Sequence, residues 1–429
     1  MTSAAVTPSA GHAARRSAGA ADAAAADVGA RIVTVHRDGK MQGNADVTIN
    51  LLEELLRGFA RSTLGKQAVV AVEAGDRSFH WVGTVGVTAA GKPVVEDTPF
   101  FIASIDKLYN ATIAMMLGET GKLDVDKPIC AYLPDTITRG LHQYGGRDRT
   151  AEITVRHLLT HTSGIADWFE DYPKGGPSLA EIVFKEGDRM LTIEELARHV
   201  RDRLRPHFPP QDLAGKRPIV RYSDTNFILV VAIIEAVTGL PLHTVHEQML
   251  CEPLGLRQTY FFGHSQPLVP TSAPMVLRAK GAPLRIPLLI QSVKGIYSTT
   301  ADMIAFMRQL MKGGVFHRQE TLAAMVSRWR RFGFPTDRAA VRLPSWPIEY
   351  GVGMMRFRLP RFLTPFAPMP SVFGHTGSTG CWLFYCPELD VLLSGSVEDA
   401  TAGAVPFRIV PKILSILSKS TWRVHGPSY

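Results

Sequence analysis

Apolar residues recur along this chain at two different periods, and the places where the period changes outline its architecture. Leu51, Leu52, Leu55, Leu56 and Phe59 recur at helical spacing and predict an amphipathic helix over Val47–Ser62. Gln67–Ala74 is a Val/Ala run that reads as a strand. Gly75-Asp76 follows as a turn, Ser78–Val87 as a second strand and Gly91-Lys92-Pro93 as another turn. Ala103–Gly121 returns to a helical pattern. From about residue 122 to 290 the chain reads as helices and loops, with candidate helices at Leu191–Leu204, Asn226–Thr238 and Leu242–Leu250. Thr192 and Glu195 have the spacing of a capping box. Strand signals resume at Gly295 around a helix at Ala301–Lys312, and a last helix covers Phe407–Ser420. Strands at both ends of a helical middle predict an α/β fold of the α+β type. An antiparallel sheet is flanked by the N- and C-terminal helices, and a mostly helical lobe is inserted. The α/β lobe takes about 46–121 plus 290–425 and the helical lobe about 122–289, with an Ala-rich tail over 1–45 expected to be disordered.

Composition narrows the function. A chain of 429 residues with 45% hydrophobic content can bury a large core. Lys and Arg number 47 against 39 Asp and Glu, which gives +8. Those charges are scattered, with no basic block or basic–aromatic ladder, so nucleic acid is a poor partner. Four cysteines in so long a chain do not form a disulfide framework. Cys381 and Cys386 sit an odd number of residues apart on an expected strand, hence on opposite faces, and Cys130 and Cys251 complete a set read as reduced thiols. Arg15-Arg16 is followed by a stretch carrying acids and lacking a strongly apolar core, so no signal peptide is expected and the cytoplasm is the expected compartment. No uncharged apolar run is long enough for a transmembrane segment; Phe227–Val237 contains Glu235 and reads as a core helix.

The chemistry-bearing residues lie at three places. Ser104 and Lys107, in Phe100-Phe101-Ile102-Ala103-Ser104-Ile105-Asp106-Lys107, share one helix face. At a helix start, a serine oxygen there meets both an amine and free backbone N–H groups, the minimum for a nucleophile without a histidine base. Tyr222-Ser223-Asp224 precedes an apolar run, and His375-Thr376-Gly377-Ser378 sits in a glycine-rich edge before another. In this order the motifs resemble the S-x-x-K, Y-x-N and K/H-T-G set of the serine β-lactamase and penicillin-binding-protein superfamily, in its class C-like branch. Three further segments are similar to that family: Val155–Ile165, with its His157-Leu158-Leu159-Thr160-His161, Gly295–Met303 and Tyr350-Gly351-Val352-Gly353. The resemblance covers about residues 46 to 425.

That resemblance implies an acyl-enzyme at Ser104, with Lys107 and Tyr222 as proton acceptors and donors. It implies an oxyanion hole from the backbone N–H groups of Ser104 and Ser378, with His375 and Thr376 facing the polar tail of a small-molecule acyl substrate. Neither cofactor nor metal is implied. The sequence departs from the family at Asp224, where Asn is usual. An ionised Asp only accepts hydrogen bonds, favours a protonated Lys107 and removes a donor toward an acylamino group. His375, only partly cationic near neutral pH, holds a substrate carboxylate less well than lysine would. The expectation is a carboxylesterase-type acyl hydrolase. A D-alanyl-D-alanine carboxypeptidase or β-lactamase, an acyltransferase, or a non-catalytic binding protein of the same fold are the alternatives. His157/His161 at i,i+4 and the His243, His246-Glu247 cluster read as structural, because no H-E-x-x-H accompanies them. The proline-rich, basic Arg356–Val372 segment is either a packed connection or an apolar lip beside the site.

Overall fold

The computed structural model describes residues 44–215, 217–364 and 368–419. The tail expected over 1–45 lies outside them up to residue 43, and Asn44 already opens the first helix, α1 (Asn44–Ala60). The main sheet has eight antiparallel strands: β1 (Gln67–Ala74), β2 (His80–Gly86), β3 (Arg330–Arg331), β4 (Glu349–Tyr350), β5 (Met355–Phe357), β6 (Val372–Thr376), β7 (Trp382–Cys386) and β8 (Val391–Ser396). Their spatial order is β3-β4-β5-β6-β7-β8-β1-β2, so the first strand of the chain pairs with the last and the second forms the edge beside it. The expected sheet, flanking helices and helical insertion are all present, and the first strand has the expected bounds.

The sheet separates two cores. Successive residues of β1 alternate between them: Val69 and Ala71 join one, Val70 and Val72 the other. The second core is closed by α1, through Ile49, Leu52 and Leu56, and by the C-terminal helix α8 (Pro406–Lys419), through Ile409, Ile413 and Leu417. The first is closed by α7 (Thr300–Met311) and, behind it, by α2 (Asp106–Glu119) and the helical insertion. Cys381 belongs to the first core and Cys386 to the second, as their odd spacing requires, and all four cysteines are free thiols.

Helix α2 is apolar on nearly every side. Leu108, Tyr109, Ala111 and Ile113 are all fully buried, because the sheet lies on one flank and the insertion on the other. Within the insertion lie α3 (Val155–Leu159), α4 (Ile193–Arg203), α5 (Asp224–Thr238) and, at its end, α6 (Pro287–Ser292). The capping box of α4 forms as read, with Thr192 and Glu195 each bonded to the other's backbone N–H. Among the described residues no single helix is long and apolar enough to cross a membrane. The apolar run of α5 packs Leu229, Val230, Ile233 and Ile234 into the first core.

Candidate active site

The helix carrying Lys107 does not begin as a regular α-helix. Ala103–Ile105 forms a 3₁₀ turn, and α2 follows from Asp106. Ala103 has a φ of 44°, in the left-handed region that non-glycine residues rarely adopt. That conformation is held from outside: Ile102 N–H donates to Ile296 O, and the Cys381 thiol donates to Ile102 O at 3.2 Å. Lys107, one turn on, is buried and donates from Nζ to Ser104 Oγ at 3.0 Å. The predicted serine–lysine pair is therefore formed, on a strained turn that feeds a buried helix.

Tyr222 and Asp224 arrive from the loop that starts α5. Lys107 Nζ lies 2.8 Å from Asp224 Oδ1 and 3.7 Å from Asp106 Oδ1. It also stands 5.4 Å from the centre of the Tyr222 ring. Burial works against the ammonium, but Asp224, Tyr222 and Asp106 outweigh it and hold Lys107 well above the usual lysine range. Burial pushes the Tyr222 phenol upward, against the pull of Lys107; its hydroxyl lies within reach of both Ser104 and Lys107. The Asp106 carboxyl is pushed up to about 6 by burial, with Asp224 adding to the rise and Lys107 opposing it. In the resting site, then, lysine is the cation and tyrosine the neutral phenol.

A support layer fixes this loop. Asp167, fully buried, accepts from the Asp224 N–H at 2.6 Å and caps α5, whose own N-cap Ser223 supplies no side-chain bond. Arg221 is clamped to Asp171 and to Asp337 at 2.8 Å each. His161 stacks on Tyr222 with ring centres 4.3 Å apart, and its Nδ1 accepts from Ser223 N–H and from Asn226. The sequence places His157 and His161 on one helix face, but α3 ends at Leu159 and His161 has a φ of 55°. They part company: His157 bonds Gln211 O, and His161 backs the tyrosine. Of the second histidine cluster, His246 bonds Asn110 Oδ1 and His243 stacks on His264.

The third motif needs two corrections. His375 does not face the cleft. It is fully buried, donates from Nδ1 to Thr376 O at 2.7 Å and accepts the Tyr350 hydroxyl on Nε2 at 3.1 Å. Burial, with Lys107 adding, pushes its pKa down to about 3, so it is neutral rather than partly cationic. Thr376 is buried too, with its hydroxyl against Met355 Sδ. The cause is the strand's place: β6 is interior to the sheet, paired on both edges, and its side chains are covered. Only beyond Thr376 does the backbone reach the cleft. Gly377 makes that approach possible, since a Cβ there would stand 2.4 Å from Cys381 Sγ and 2.9 Å from both Ala103 Cβ and Ile102 O. Ser378 follows, exposed, and its N–H donates to no acceptor among the described residues.

Ser104, Lys107, Asp224 and Ser378 line one end of a cleft of about 460 Å³. The rest of its wall is mostly apolar, including Trp168, Phe169, Phe227, Leu289 and Ile290. Among the described residues of Arg356–Val372 none lines it, and Phe184 and Met190, exposed large side chains, stand at the cleft. The beta-lactamase family model matches residues 52–397. The chain belongs to the beta-lactamase family. Its family relatives include an ML-236A carboxylate methylbutanoyltransferase, mlcH, of Penicillium citrinum, 32% identical over 39% of each chain. They also include Esterase EstB of Burkholderia gladioli, 29% identical over 47% of this chain and 48% of the esterase. The chain thus spans less than half the length of the curated relatives it matches. Among solved structures, a D-stereospecific amidohydrolase from Streptomyces sp. superimposes with a TM-score of 0.62 over 89% of this chain and 99% of that one, at 23% identity. That likeness establishes the shared fold.

The sequence reading missed Asp106, Asp167 and Tyr350 as parts of the site. Asp106 stood inside the quoted Ser104–Lys107 motif and Tyr350 inside the quoted Tyr350–Gly353 segment, neither with a role at the site. Asp167 and Tyr350 reach the site only through folding, from 57 and 128 residues away from Asp224 and Tyr222 respectively.

Proposed function

We propose that this protein is a serine acyl hydrolase of carboxylesterase type that forms its acyl-enzyme at Ser104. One observation carries the reading: a serine oxygen held by a buried ammonium at 3.0 Å opens onto a mostly apolar cleft. Ser104 Oγ attacks the substrate carbonyl while the Ser104 and Ser378 N–H groups receive the developing oxyanion. Lys107 and Tyr222 are both protonated at rest, so a free base is not needed at the outset. Tyr222 passes its own proton to the leaving oxygen as it takes the serine proton and so stays neutral, while the Lys107 ammonium, 3.0 Å from Ser104 Oγ, steadies the negative charge that develops on the serine oxygen as its proton leaves. Water returns along the same relay to release the acid.

The electrostatics favour simple esters over β-lactams and peptides with a free carboxylate. Both lysines that line the cleft are already ion-paired, Lys107 with Asp224 and Lys294 with Glu235 at 2.8 Å each. Neutral His375 adds no charge. A substrate carboxylate finds no unpaired lysine on the cleft wall. The free cysteines fit a reducing, cytoplasmic compartment.

A fluorophosphonate probe tests the reading. It should label the wild-type protein and not Ser104→Ala, while both give the same circular dichroism. Equal labelling of the two would sink the assignment. Acyl transfer is the second reading, supported by the methylbutanoyltransferase relative and by an apolar cleft that disfavours water. It predicts that an added alcohol diverts the acyl group from acid to new ester at fixed total turnover.

A further inference from the structure

The lining residues contributed by α5 are Asp224, Phe227, Ile228, Val231, Ala232 and Glu235. Their spacing of three and four is one uninterrupted stripe of a helix. The cleft therefore runs along α5, from the catalytic end at Asp224 to Glu235. Eleven residues at 1.5 Å each make that run about 16 Å. Between its charged ends the stripe is wholly apolar, and Leu289 and Ile290 of α6 help form the remaining wall.

The far end is lined by polar groups that are themselves fixed. Glu235 Oε1 accepts from Lys294 Nζ at 2.8 Å and from the Leu242 N–H at 2.8 Å, which ties it to the next helix start. Lys294 follows α6 with a φ of 55°, and Gln291 and His264 stand beside it on the cleft wall. An apolar chain gains by burying each methylene along the stripe and loses when its tip must displace water from an ion pair.

We infer that the cleft is a ruler for an extended aliphatic acyl chain of about ten carbons, measured along α5 and stopped by the Glu235–Lys294 pair. An extended carbon chain advances about 1.25 Å per carbon, given bonds of about 1.5 Å at about 111°. The acyl carbon is bonded at the Ser104 end, so a contact distance of about 4 Å at the Glu235–Lys294 end alone leaves about 12 Å of the run for the chain. The inference rests on the acyl-hydrolase reading and names its substrate class: medium-chain acyl esters.

Aryl esters of linear acids from two to sixteen carbons test it. In the wild type, kcat/KM should climb to about ten carbons and fall by fourteen. Ala232→Trp places a ring about three-quarters of the way along the run, and should lower the ratio of ten-carbon to four-carbon kcat/KM at least about tenfold. Glu235→Gln with Lys294→Met removes both charges while keeping an acceptor for Leu242, and should move the optimum to longer chains. A profile that is flat in the wild type, or whose optimum neither variant moves, overturns the ruler while leaving the serine reading intact. Absence of turnover on every ester, together with no fluorophosphonate labelling, would instead overturn the serine reading.

Discussion

Helix α5 carries an ion pair at each end, and the two have the same length. Asp224–Lys107 and Glu235–Lys294 both measure 2.8 Å. Their surroundings differ. The Lys107 side chain is 6% exposed and Asp224 25%, whereas Lys294 and Glu235 are 28% and 29% exposed. At the inner pair, desolvation makes each charge depend on the other, and the pair sets the protonation state of a lysine that touches Ser104 Oγ. At the outer pair, water shares the load and the pair acts as a polar wall. The same chemistry on one helix thus does two jobs, and burial decides which.

The sharpest way to break this comparison is to remove chemistry from the inner end. Ser104→Ala should lower ester turnover by about 10⁴-fold or more with an unchanged melting temperature, measured on an aryl butyrate. Lys107→Ala and Tyr222→Phe should each lower kcat by about 10²-fold or more. If the two form one relay, the double variant is little worse than the poorer single one; fully additive losses would mean independent roles.

The charge of the inner pair comes next. Asp224→Asn removes the main partner of Lys107 and restores an amide donor. It should raise acylation by a chromogenic cephalosporin relative to ester turnover. Efficient cephalosporin hydrolysis by the wild type that falls in Asp224→Asn would end the ester preference.

A smaller effect is expected from Asp106, whose carboxyl is pushed up to about 6. Below that value it is protonated, and one of the negative neighbours of Lys107 is lost. The log kcat/KM profile should therefore rise by a few-fold as pH drops through about 6, because the Lys107 ammonium then stabilises developing negative charge with one fewer anion opposing it, and Asp106→Asn should lose that limb. An unchanged limb in the variant would assign it elsewhere.

Glu398 extends the comparison to a buried carboxylate without a cation. It is fully buried, bonded by Ser396 Oγ and Phe101 N–H, and burial pushes its pKa up to about 8. Between the unfolded value near 4.5 and about 8 the native state holds a proton that the unfolded state has released, so stability falls as pH rises across that window. The melting temperature should drop by a few degrees there, and Glu398→Gln should flatten the slope. An equal slope in both proteins would show that Glu398 does not hold that proton.

Much of the fold was legible because local pattern and global packing agree. The Val/Ala run Gln67–Ala74 reads as a strand and forms one with those bounds, and the Thr192–Glu195 spacing names a helix start that forms as read. Ser104 and Lys107 meet because three residues on a helix meet wherever the helix is. The departure at Asp224 announced a protonated lysine, since a carboxylate beside an amine favours its charge. Three things needed the tertiary structure. Whether His375 faces substrate depends on β6 lying inside the sheet, a matter of strand order that no local pattern records. The partners Asp167 and Tyr350 come from distant segments, joined only by chain closure. The stripe from Asp224 to Glu235 is readable as a helix face, but an apolar face packs on a neighbour or lines a cleft with the same residues. Only the placement of α6 and the 184–194 segment opposite it leaves that face open to a substrate.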